Sequence, residues 1–139
     1  MSSRMKRTGL ALVCAAGLAA AVGCDGGPSG PPKPVPGTLT VALVTPAADD
    51  RAILIAVSGP EAVGGVAAAG SGGYTVHARP SGTSFRAAVF GRLASGPLVS
   101  FAVPDVNKVA SYTATVQEVV APDNTLRAST AGYTLTLSK

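Results

Sequence analysis

The chain has 139 residues, enough for one domain once an N-terminal leader is set aside. It has no Trp, three Phe and three Tyr, so its core must be built largely from Val, Leu and Ala. The net charge of +4 comes mostly from Arg4, Lys6 and Arg7. From residue 24 onward, eight scattered basic residues are balanced by seven acidic ones. This balance excludes the basic footprint expected of a nucleic-acid-binding protein.

The N-terminal segment is typical of a signal peptide. Residues 1–8 form a basic region, and residues 9–22 form an apolar run without a charge. A bilayer about 30 Å thick needs about 20 apolar residues in a helix, so the run is too short to span a membrane. A buried core helix is the weaker alternative, because Arg and Lys residues precede the run. We therefore assign residues 1–23 to a cleaved leader.

The leader ends in Ala21-Val22-Gly23-Cys24, which resembles the lipobox of bacterial lipoproteins, although that family prefers Leu at the first position. The resemblance implies cleavage between Gly23 and Cys24, a diacylglyceryl thioether on the Cys24 sulfur and acylation of the new amino group. Two or more acyl chains, such as palmitate, hold a protein stably on a membrane. The implied location is the cell envelope, with the domain outside the cytoplasm. The alternative is an ordinary secretory signal with an Ala-x-Ala cleavage site ending at Ala21.

Residues 24–37 form a tether rich in Gly and Pro. Its five prolines favour polyproline II at about 3.1 Å per residue, which holds the domain away from the membrane. Cys14 leaves with the leader, so Cys24 has no intramolecular disulfide partner. The domain must therefore be stabilised by its core alone.

Residues 38–139 show apolar residues alternating with polar ones, which is typical of half-buried strands. The predicted strands span 38–45, 52–58, 74–78, 84–90, 98–103, 112–120 and 132–137, with short candidates at 62–67 and at Leu126. Polar turns or loops are expected at 46–51, 80–82, 105–111 and 122–124. The run 52–58 is apolar on both faces and is expected to be a central strand. The pattern predicts one antiparallel β-sandwich of about seven to nine strands, with jelly-roll or immunoglobulin-like topology.

The alternation also predicts which side chains face the core. The expected inward residues are Leu39, Val41, Leu43, Tyr74, Val76, Ala78, Phe85, Ala87, Val89, Tyr112, Ala114, Val116, Tyr133, Leu135 and Leu137.

A second resemblance rests on the order of these segments. The strand 52–58 before a turn, residues 84–91 running into 96–103, the strand 112–120 and a last strand after Asp123-Asn124 together resemble cohesin-like β-sandwich domains. Such domains have a jelly-roll sandwich and bind partner modules or act as adhesive units. The resemblance covers about residues 38–138 and implies a protein partner.

No set of residues predicts catalysis. His77 is the only histidine, and its strand position places it on the outer face. A Ser/His/Asp triad would have to use this one residue, and nothing around it in the sequence supports that role. It has no Cys, carboxylate or second His at ligand spacing. The glycine-rich loop 69–73 lacks the strand and helix context of a nucleophile elbow or a phosphate loop. We predict no catalytic residue, no metal site and no cofactor.

Three short acidic clusters are candidates for calcium binding, and five arginines are candidates for a protein interface. The pairs Asp49-Asp50, Asp105/Asn107 and Asp123-Asn124 supply too few ligands for calcium, so hydrogen bonding within turns is the preferred explanation. Interface anchors are often arginines, and the candidates are Arg51, Arg79, Arg86, Arg92 and Arg127.

The sequence thus predicts a non-enzymatic, lipid-anchored β-sandwich that serves as a protein-binding or adhesive module outside the cytoplasm. The alternative is a structural accessory subunit of a cell-envelope assembly. An enzyme is the third and weakest hypothesis.

Overall fold

A computed structural model describes Gly27 and residues 30–139, and the folded unit in it runs from Pro32 to Lys139. The predicted signal peptide, the predicted cleavage position at Gly23 and the predicted lipidation site Cys24 lie outside the described residues. The helical residues that are described form no segment long and apolar enough to cross a bilayer.

The folded unit contains eight strands and one short helix. The strands are β1 Gly37–Val44, β2 Ala52–Ser58, β3 Gly64–Ala68, β4 Thr75–Ser81, β5 Ser84–Phe90, β6 Gly96–Val103, β7 Thr113–Val120 and β8 Thr134–Ser138. The prediction of an all-β fold with about seven to nine strands is confirmed. The segment 105–111, expected to be a loop, instead forms a 3₁₀ helix over Val106–Ser111. At Leu126 there is only an isolated bridge to Val120, not a strand.

The strands form two antiparallel sheets of four. Sheet A has the order β3-β6-β1-β8, and sheet B has the order β4-β5-β2-β7. Every connection crosses from one sheet to the other except the β4–β5 hairpin. In an immunoglobulin-like domain the first two strands share a sheet, whereas here β1 and β2 lie in different sheets. The strand order therefore excludes the immunoglobulin-like alternative.

The core lies between the two sheets and follows the predicted alternation. On β1 the inward residues Leu39, Val41 and Leu43 are at most 1% exposed, and on β2 the residues Ile53, Ile55 and Val57 are equally buried. Strand β2 lies between β5 and β7, which confirms its prediction as a central strand. Each such aliphatic side chain contributes roughly 1.5–3 kcal/mol by its burial.

Three aromatic rings complete the core at one end. Phe85 and Phe101 meet edge to face with centroids 5.1 Å apart, and Tyr112 packs against Phe101 at 5.9 Å. The Tyr112 ring lies directly on the backbone of Gly59, where a Cβ atom would come within 2.0 Å of the ring. Any larger residue at Gly59 would displace the ring.

The end of the predicted tether is bound to the sandwich. The Val35 backbone N–H donates to Asp105 Oδ1 at 3.1 Å, and the Val106 N–H donates to the Val35 carbonyl at 2.9 Å. Val35 lies two residues before the start of β1 at Gly37. They fix the direction in which the chain enters the domain.

Candidate binding surface

Charge on the strands is confined to one face of the sandwich. Of the residues in the eight described strands, only Arg79, Arg86 and Glu118 are charged, and all three are exposed on sheet B. The outer face of sheet A carries mostly Thr, Ser and Ala. The two outer faces therefore differ in chemistry although they belong to the same fold.

The outer face of sheet B is ordered in four cross-strand rows. Listed from β4 to β7, the rows are Thr75, Phe90, Ala52 and Val120; His77, Ala88, Leu54 and Glu118; Arg79, Arg86, Ala56 and Thr115; Ser81, Ser84, Ser58 and Thr113. On the central strand β2 three of the four outward residues are small, whereas its neighbour β5 carries Phe90 and Arg86. Three adjoining shallow depressions cover this face, and Arg79 and Arg86 line two of them.

A bulge in β7 places Glu118 on this face. The pairing with β2 changes between Leu54 and Ile55, so that Leu54 faces Glu118 while Ile55 faces Val116. The extra residue is Gln117. Because of it, Glu118 points outward and Val119 is buried with 1% exposure.

The two arginines are direct neighbours. Arg79 on β4 pairs with Arg86 on β5 across the hairpin, and directly opposed residues have Cβ atoms about 5 Å apart. Neither side chain forms a hydrogen bond or an ion pair within the part of the chain that the structure describes. Like charges in this arrangement destabilise a sheet.

The opposite end of the same face is mostly apolar, although Glu118 also lines the depression there. Phe90 is 47% exposed, and its ring meets that of His77 edge to face with centroids 5.9 Å apart. Ala52, Leu54 and Val120 line the same depression. His77 lies on the outer face, as its strand position predicts, and it packs against an aromatic ring.

Asp50 has a role that the sequence analysis assigned wrongly. It is not a turn residue in solvent but is fully buried. Its Oδ1 accepts bonds from Arg127 Nε at 2.8 Å and Nη2 at 2.6 Å, and its Oδ2 accepts one from the Tyr133 hydroxyl. A buried carboxylate needs such partners because water cannot solvate it. Arg127 is therefore an internal ion-pair partner rather than a candidate interface anchor.

The other two acidic clusters behave as predicted. Asp105 caps the 3₁₀ helix by accepting from the Asn107 N–H at 3.0 Å, and Asp123 accepts from the Thr125 N–H at 3.1 Å. The bond from the Val35 N–H is the main reason that the pKa of Asp105 is lowered. Among the described residues there is no group of three or more His, Cys, Asp or Glu side chains that could hold a metal ion.

Two buried tyrosines differ in how their hydroxyl groups are satisfied. The Tyr133 hydroxyl donates to Asp50, whereas the Tyr112 hydroxyl has no hydrogen-bond partner in the described region. Burial raises the pKa of both phenols, and at Tyr133 the Asp50 carboxylate raises the pKa further.

Comparison with known proteins adds no assignment. No protein-family model, curated protein or solved structure matches this chain.

The opposed arginines were missed by the sequence analysis, although the chain contains a usable signal. The turn was expected at residues 80–82, whereas β4 continues to Ser81 and the two-residue loop is Gly82-Thr83. Gly82 has a φ of 62°, as the first residue of a type II′ hairpin requires. Counting outward from this loop pairs Arg79 with Arg86.

Proposed function

We propose that the protein is a lipid-anchored lipoprotein of the cell envelope, and that its sandwich is a non-catalytic protein-binding module. The outer face of sheet B is the binding surface in this proposal. Cys24 carries the lipid anchor, and the part of the predicted tether before Val35 spaces the domain from the membrane. The proposal for the anchor rests on the lipobox resemblance of residues 21–24.

The observation that supports the binding function is that all charged residues of the described strands lie on the outer face of sheet B, which also carries a half-exposed aromatic ring. The outer face of sheet B combines Arg79, Arg86 and Glu118 with the half-exposed Phe90. Arginine and aromatic residues are enriched among those that dominate binding energy at protein interfaces. The small side chains between them, such as Ala56, leave room for a partner to approach the sheet closely.

Site-specific photo-crosslinking in the native cell tests this surface. A photoreactive amino acid replaces Thr115 on the outer face of sheet B or, as the matched control, Thr136 on the outer face of sheet A. Both threonines are exposed and lie on strands. We expect an adduct of defined mass from position 115 and none from position 136.

The alternative of a structural accessory subunit gives a different result. A subunit embedded in an assembly would crosslink from both faces and would remain in a stoichiometric complex after detergent extraction. Adducts from position 136 alone, or from neither position, contradict the proposed surface. The anchor is tested separately, because a Cys24→Ser variant that stays in the membrane fraction with unchanged processing contradicts the lipoprotein assignment.

A further inference from the structure

The opposed arginines on the outer face of sheet B have no counter-charge among the residues that the structure describes. The carboxylate on the same face, Glu118, lies on β7, two strands away from Arg86 on β5. With a strand spacing of about 4.8 Å, this separation is on the order of 10 Å. Arg79 lies one strand farther away. The charge of the pair is thus left to solvent or to a bound anion.

The surroundings of the pair favour an anion whose oxygens accept hydrogen bonds. Ser81 and Ser84 occupy the next row, and Ala56 is the neighbour of Arg86 on β2. A guanidinium group binds a carboxylate through two parallel hydrogen bonds, which gives directional as well as electrostatic recognition. Two guanidinium groups on adjacent strands can engage two carboxylates, or two oxygens of one anion.

The apolar end of the face distinguishes a polypeptide ligand from a small inorganic anion. The row of Phe90 is two rows from the row of Arg86, which corresponds to four residues along β5 or about 13 Å. Inorganic phosphate has no apolar group to place against an exposed phenyl ring with Leu54 and Val120 beside it. A polypeptide can present acidic and apolar side chains at this separation.

We propose that Arg79 and Arg86 bind the carboxylates of an acidic segment of a protein partner, whose apolar side chain packs against Phe90. This inference rests on the proposed function, and it specifies the partner's chemistry. An extended partner segment would carry Asp or Glu about four residues from a large apolar residue.

The test uses the full-length lipidated protein in detergent micelles and a displayed library of random 12-residue peptides. We expect wild type to enrich peptides that combine Asp or Glu with an apolar residue at the stated spacing. The best such peptide is then synthesised together with a copy in which Asn and Gln replace Asp and Glu. Its affinity should fall about tenfold for Arg79→Gln and for Arg86→Gln, and it should weaken with added salt.

Arg92→Gln is the matched control, because Arg92 is exposed but lies outside the strands. It should leave the affinity unchanged, and none of the three variants should unfold below the wild-type temperature, because removing one of two opposed like charges does not weaken the sheet. Equal binding of the amidated peptide, or unchanged affinity in the Arg79 and Arg86 variants, overturns the inference. The proposed function survives that result if the selected peptide still blocks the adduct from position 115, and it fails as well if no peptide is enriched and no adduct forms.

Other occupants of the face give distinct outcomes. Inorganic phosphate or polygalacturonate that binds through the two arginines, with no acidic peptide enriched, overturns the inference in favour of a small anion or a glycan. Concentration-dependent dimerisation that Arg86→Gln abolishes also overturns it, because a second copy of the chain would then occupy the face.

Discussion

Arginine is used in two opposite ways in this molecule. In the connection between β7 and β8, Arg127 donates two hydrogen bonds to the buried carboxylate of Asp50. On the outer face of sheet B, Arg79 and Arg86 face each other, and within the described part of the chain neither forms an ion pair with a carboxylate. The first arrangement satisfies a buried charge within the protein, whereas the second leaves charge exposed. The comparison shows that residue type alone does not separate a structural arginine from one available to a partner.

The Asp50 cluster ties distant parts of the chain together. Asp50 lies in the connection between β1 and β2, while Arg127 and Tyr133 lie in the connection between β7 and β8. The Asp50 carbonyl also accepts from the Leu93 N–H at 2.8 Å. One carboxylate thus joins loops that are up to 83 residues apart. The domain has no disulfide between its loops, so this cluster provides a non-covalent cross-link.

Breaking the buried cluster should have the largest effect on stability. We expect Asp50→Ala to lower the free energy of unfolding by about 2–3 kcal/mol, because Arg127 and Tyr133 lose their shared acceptor. Asp49→Ala is the control, since Asp49 is adjacent but exposed, and it should change stability by less than about 0.5 kcal/mol. Urea denaturation measures both. Equal losses of stability from Asp50→Ala and Asp49→Ala would show that the buried hydrogen bonds of Asp50 do not stabilise the domain.

The two buried tyrosines allow a satisfied hydroxyl to be compared with an unsatisfied one, with smaller expected effects on stability. Tyr133→Phe removes the hydrogen bond to Asp50 and should cost about 1–2 kcal/mol. Tyr112→Phe removes a buried hydroxyl that has no partner in the described structure, so it should be neutral or slightly stabilising. Thermal and urea unfolding of the two variants supply the test. A loss at Tyr112 as large as that at Tyr133 would contradict the hydrogen-bond assignment.

Alkaline pH should lower the stability of the domain through the Tyr133 hydroxyl. The pKa of Tyr133 is raised in the folded state, first by burial and then by Asp50, so the unfolded state loses this proton more readily. The stability linked to Tyr133 is therefore fully present below its ordinary pKa of about 10 and is lost as pH rises through the folded-state value. Between pH 9 and 11, the unfolding free energy should fall more steeply in wild type than in Tyr133→Phe. Parallel curves would contradict this linkage.

Reversing one exposed charge should have the smallest effect and the opposite sign. Arg86→Glu converts the opposed like charges into an ion pair with Arg79 and should raise stability by about 0.5 kcal/mol. Arg92→Glu lacks a cross-strand partner and serves as the control. Urea denaturation at low salt gives the comparison. Destabilisation by Arg86→Glu alone would show that the pair is not electrostatically unfavourable.

Short-range patterns predicted the elements of this fold well where burial alternates along a strand. Leu39, Val41 and Leu43 lie inward as expected, because each strand turns alternate side chains to opposite faces. The strand at 52–58 was recognised as central because both of its faces are apolar. The 3₁₀ helix at Val106–Ser111 was missed, since its six residues are too few for a helical period to appear.

The sequence by itself thus determined an all-β sandwich, its inward residues and, through the lipobox resemblance, the hypothesis of an anchor at Cys24. Tertiary structure alone decided the strand order, the burial of Asp50 and the placement of Glu118 on the same face as the two arginines. The physical reason is the range of the interactions. Alternation and turns depend on neighbours along the chain, whereas Asp50 meets Tyr133 only after 83 residues have folded back. Arg79 and Arg86 are close in sequence, but their pairing depends on the position of the turn at Gly82.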